Sequence, residues 1–173
     1  MAVWNVIGHT EIGAGGAVSW TETGIASSYD HLCLKYSVRR EGSGVDAGYF
    51  LTLNGDTGAN YSSTTLRALS GAASAYHASG ATSFSLANWA GTGATADTFG
   101  VGEVWIPNYA NTAHYTQMFI VNVVENASAS SFRMSRNASL WESTAAVTSI
   151  TMLNDASDIA EFSTFTLYGV TGA

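Results

Sequence analysis

An all-β fold, a two-sheet antiparallel sandwich of jelly-roll type with about ten strands, is predicted by three features of this 173-residue sequence. Strand-like segments recur at short intervals, with Gly, Asn, Asp and Ser between them. Residues 31–40 alternate: Leu32, Leu34, Tyr36 and Val38 face one side and His31, Lys35, Ser37 and Arg39 the other, which marks a strand with one solvated face. Residues 159–168 carry apolar side chains on both faces, Phe165 and Leu167 opposite Phe162 and Tyr168. Such a strand belongs in a sheet covered on both sides, or in one whose second face meets a partner.

The predicted strands are 3–12, 17–21, 31–40, 49–54, 61–69, 82–86, 98–106, 116–125, 131–141, 146–153 and 159–168. Gly13-Ala14-Gly15-Gly16 separates the first two, and Glu41-Gly42-Ser43-Gly44 plays the same part after the third. Neither is followed by the helix that a phosphate-binding loop requires. Pro107 cannot donate to a ladder, so it marks the point where the strand ending at Ile106 leaves its sheet. The last two strands, joined by Asn154-Asp155-Ala156-Ser157, read as an antiparallel hairpin. Residues 70–80 and 88–97 are the longest expected loops, with a short helical turn at 72–77. No repeat or linker divides the chain, so residues 1–173 are expected to form a single sandwich domain.

Charged residues make up 11% of the chain, against about 25% in ordinary domains, while Ser and Thr together number 40. Either hydroxyls and small side chains cover the exterior, or contacts with other chains hide much of it. The net charge of −7 and only six Lys and Arg argue against nucleic acid. No run of eighteen apolar residues is present to span a membrane as a helix, and the first residues lack the basic start of a secretory signal. The Asn-x-Ser patterns at Asn60, Asn126 and Asn137 are therefore read as ordinary turn and strand residues. A chain of 18.1 kDa buries enough surface to fold without disulfides, and the single Cys33, between Leu32 and Leu34, reads as a buried inert thiol.

No catalytic residue, metal ligand or cofactor is expected. The histidines at 9, 31, 77 and 114 have no shared spacing. Asn54, Asp56 and Asn60 alternate oxygen ligands with glycine but lack the EF-hand spacing, so a turn between strands is the better reading. Glu103, Glu125, Glu142 and Glu161 each fall in or at the end of a strand, where a solvent-facing carboxylate is ordinary. Trp4, Trp20, Trp105 and Trp141 lie in strand-like runs and are expected in a core or a subunit interface. Trp89 and Tyr76 lie in the two long loops and are the candidates for stacking on a sugar ring.

Four segments carry a resemblance: Asn54-Gly55-Asp56-Thr57-Gly58-Ala59-Asn60-Tyr61-Ser62-Ser63, Ile106-Pro107-Asn108-Tyr109, Leu140-Trp141 leading into Ala146-Val147-Thr148-Ser149-Ile150, and Thr166-Leu167-Tyr168-Gly169. In this order the chain resembles small tailed-phage virion proteins, the head-decoration, head-fibre and tail-associated β-sandwich domains. The resemblance implies a virion structural role. The expected function is a non-enzymatic capsid-decoration protein, made in the host cytoplasm and bound to the major capsid protein or other virion proteins on the outside of the head. A fibre or tail domain that binds a host glycan is the alternative, and a free carbohydrate-binding module the third reading. Low charge and two-faced apolar strands further predict a homo-oligomer, a trimer before a dimer.

Overall fold

The computed structural model describes residues 1–44, 46–126, 132–154 and 157–172, with the backbone alone for 46, 47, 87, 88 and 154. The described residues form twelve strands and no helix: β1 Val3–Glu11, β2 Ser19–Thr23, β3 His31–Val38, β4 Asp46–Leu53, β5 Tyr61–Leu69, β6 Ala72–Ala81, β7 Phe84–Ala90, β8 Gly100–Pro107, β9 Thr116–Val124, β10 Arg133–Trp141, β11 Ser149–Asn154 and β12 Thr164–Thr171. They make two sheets, one of eight strands in the order β1-β12-β3-β8-β9-β10-β5-β6 and one of four in the order β2-β11-β4-β7. Every pairing between these strands is antiparallel. The accessible surface, 7841 Å², agrees with the scaling for a compact monomer of this mass.

One core joins the sheets. Leu32, Leu34, Tyr36 and Val38 of β3 are buried, as their alternation predicts, beside Ile106, Phe165 and Leu167 of the same sheet. The small sheet adds Trp20, Leu51, Leu53, Leu86 and Met152. Contact across the layers is aromatic: Trp20 stacks on Phe165 at 4.7 Å and Tyr61 meets Phe84 edge-on at 4.8 Å. Where β7 crosses the larger sheet the core becomes polar. There Tyr36 OH donates to Asn122 Oδ1, Asn122 Nδ2 to Ser135 Oγ, and Ser135 Oγ to Asn137 Oδ1, while Asn137 Nδ2 donates to Thr65 Oγ1 and to the carbonyl of Ser85. This buried line runs over β3, β9, β10 and β5, so each member satisfies a group that burial would otherwise leave unpaired.

Three expectations are corrected. The final hairpin does not form: β11 pairs with β2 and β4 in the small sheet, while β12 pairs with β1 and β3 in the large one. Between them the chain changes layers through Ile159, fully buried and bridged to Ala17 and Arg40. Asp155 and Ala156 of the expected turn lie outside the described residues, and Phe162 stands outside β12, exposed, at φ 64°. Residues 72–80 belong to strand β6, with no long loop and no helical turn: β5 and β6 form a hairpin over Ser70 (φ 48°) and Gly71 (φ 84°). Two successive left-handed residues match the right-handed twist of the flanking strands. Residues 88–97, in turn, begin inside β7.

Candidate functional site

The two sugar-stacking candidates do not form a platform. Trp89 is 1% exposed, lies on β7, and packs against Tyr36, Tyr49 and Phe165 in the core. The loop expectation fails there because β7 continues to Ala90, past its predicted end at Leu86, and an indole of that size at a sheet interface goes inward. Tyr76 lies on the edge strand β6 of the other sheet, 37% exposed, with the Arg67 guanidinium 5.2 Å from its ring. The small, Ala-rich sequence around Tyr76 hides a strand, and the Ser70-Gly71 dipeptide is the signal for the hairpin.

Polar groups singled out in the sequence act as staples. Asp56 accepts hydrogen bonds from Trp141 Nε1 at 2.7 Å, Asn60 Nδ2 at 2.9 Å and the Gly58 amide at 2.8 Å. These donors, Trp141 first, hold its carboxyl below the usual range. Asn54, at φ 53°, accepts from the amides of Thr148 and Ser149 and donates to the Ala146 carbonyl. His9 bonds Thr166, His77 bonds Thr64, and His31 accepts from the Asn108 amide, each apart from the others. Among the described residues no three His, Cys, Asp or Glu side chains gather as metal ligands. Cys33 is fully buried, and burial first, then the Glu103 charge, pushes its thiol up to about 12. Glu161 lies in the turn before β12, not on a strand.

What the structure does present is the outer face of the eight-stranded sheet. On β9 the buried Met118, Ile120 and Asn122 alternate with Phe119, Val121 and Val123, which point out. Register adds Val101 and Trp105 of β8, Met134 and Ala138 of β10, and Leu66 and Ala68 of β5. Phe119 is 48% exposed and Leu66 63%. A groove of about 450 Å³ runs between Leu66, Ala68, Ala73, Met134 and Arg136. Toward β1 the same face carries Trp4, 47% exposed, with Trp105 and Tyr168 each 5.7 Å from its ring. His31 lies 5.6 Å from Trp105, and Lys35 sits 5.7 Å from Trp4. Cys33, paired in register with both Trp105 and Tyr168, lies on this side of the sheet.

Among the described residues only four charged side chains fall on this face by register: Glu11, Lys35, Glu103 and Arg136. Lys35 and Glu103 pair at 3.2 Å, and the Glu103 hydrogen bond raises the Lys35 ammonium. Two charges of each sign leave the face neutral on a molecule of net charge −7. Sequence reading misses this surface because Phe119, Val121 and Val123 interleave with an inward set that is itself partly apolar, Met118, Ile120 and Val124. Such a run shows burial on one side without saying what meets the other. No family model, curated protein or solved structure matches the chain.

Proposed function

We propose that the chain is a non-enzymatic structural protein of a tailed-phage particle, a capsid-decoration module on the outside of the head. The observation that carries this reading is the neutral, apolar outer face of the eight-stranded sheet, because a surface with exposed Phe119, Leu66, Val101 and Met134 is suited to assembly. The candidate chemical groups support it: Asp56, Asn54, Asn122 and Asn137 hold strands together. The resemblance of the four ordered segments supplies the virion. Jelly-roll topology is part of the proposal and is supported by nested pairing. With β5–β6 and β9–β10 set aside as added hairpins, β1 pairs β12, β2 pairs β11, β3 pairs β8 and β4 pairs β7.

The test is to add purified protein to heads that lack it and to measure co-sedimentation and the temperature of DNA release. Binding with a raised release temperature is expected. Labelling of tail tips or fibres, with none on heads, overturns the decoration reading. A second reading, attachment to a host glycan, is favoured by one observation, the partly open aromatic group of Trp4, Trp105 and Tyr168. It predicts a change in tryptophan fluorescence with oligosaccharides that Trp4→Ala abolishes. An unchanged spectrum across a set of host glycans removes it.

A further inference from the structure

The outer face is complementary to itself, and the charges near its centre show how. β9 lies near the middle of the eight-stranded sheet, with β8 on one side and β10 on the other. Val121 is the register partner of both Arg136 on β10 and Glu103 on β8. Arg136 and Glu103 therefore flank Val121 in one row, about 10 Å apart at ordinary strand spacing. Among the described residues Arg136 has no ion pair, whereas Glu103 holds only Lys35 and retains capacity for a second cation.

We propose that two copies of this chain pack outer face to outer face across a two-fold axis that runs along β9. Such an axis exchanges the two sides of the strand, so Arg136 of each copy meets Glu103 of the other, twice per dimer. Phe119, Val121 and Val123 then meet their own counterparts. The adjacent rows match by size: Trp105, level with Phe119, faces Ala138 of the second copy, and Met134, level with Val123, faces Val101. Aligned sheets pack about 30° apart because of their twist, so the match is tightest on these three strands. Eight strands of eight to ten residues offer a face of roughly 1,000 Å². A standard interface needs about 800 Å² per partner. The isologous contact also lets a molecule of net charge −7 associate through its neutral side. This dimer replaces the trimer expected from composition. It rests on the reading of this face as an assembly surface and is measured without heads, so its failure leaves the head-binding test standing.

Sedimentation equilibrium of the wild-type protein over a micromolar range is expected to give twice 18.1 kDa. Arg136→Glu and Glu103→Arg each place like charges opposite one another at both sites. Each is expected to raise the dimer Kd by on the order of a hundredfold or more. In an equimolar mixture of the two variants, a mixed dimer sets the introduced carboxylate against the introduced guanidinium at one site. At its other site the unsubstituted Arg136 of one copy meets the unsubstituted Glu103 of the other, so the mixture is expected to return to dimer. Phe119→Ser, on the axis and exposed, gives an independent loss. Circular dichroism and melting temperature verify that each variant is folded. A wild-type monomer at every concentration, a trimer, dimers unaffected by Arg136→Glu, or a mixture that stays monomeric would each overturn the proposal.

Discussion

Asp56 ties its own turn to the far end of β10, since its carboxylate accepts from Gly58, from Asn60 and from the indole of the buried Trp141. These bonds favour the ionised form, so the carboxyl lies below its ordinary value. The stabilisation is present above the unfolded-chain value of about 3.9 and is lost as pH falls through the lower native one. Asp56 is solvent-accessible, so Asp56→Ala is expected to cost only about 1 kcal/mol at neutral pH. Urea titration should show that gap closing in strong acid, and a gap independent of pH would assign the loss to packing. The tryptophans give a second residue-scale test. Iodide should quench Trp4 and leave Trp89 untouched, so Trp4→Phe should remove much of the quenchable emission.

At the scale of elements, β12 carries apolar side chains on both faces, though it begins at Thr164 and leaves Phe162 outside it. Phe165 and Leu167 enter the core, Val170 is buried, and Tyr168 joins the aromatic group outside. Leu167→Ala should lower stability by about 2 to 5 kcal/mol, because it removes core atoms and leaves a cavity. An unchanged denaturant midpoint would place β12 outside the cooperative core. The strand itself was legible in the sequence, as were β3 and the end of β8 at Pro107, because alternation and proline are local signals. Its partners were not. Two adjacent strands with a polar turn look like a hairpin whether the chain folds back or crosses to another sheet, and the pairing of β11 with β2 and β4 and of β12 with β1 and β3 distinguishes the two. Ala72–Ala81 was hidden for the converse reason: Ala, Ser and Gly have weak strand propensity, and pairing with β5 supplies what the residues themselves do not. The outer face of β9 lay in plain view as residues, but its exposure depends on which sheet covers which side.

For the whole molecule, the place of β12 between β1 and β3 sets the order in which the protein becomes itself. Among the described residues the only strand neighbour of β1 in its sheet is β12, with Val3 opposite Thr171 across nearly the full length of the 173-residue sequence. During synthesis β1 emerges well before β12 and lacks this sheet partner until β12 is free. Closing so long a loop before any contact rewards it makes folding slow, on the order of milliseconds to seconds. Pulse-labelled amide exchange during refolding should therefore protect β1 and β12 together. Protection of β1 well before β12 would contradict this order. Until that moment Trp4 and Val6 lie on an unpaired strand, so β1 is open to aggregation for as long as β12 is missing.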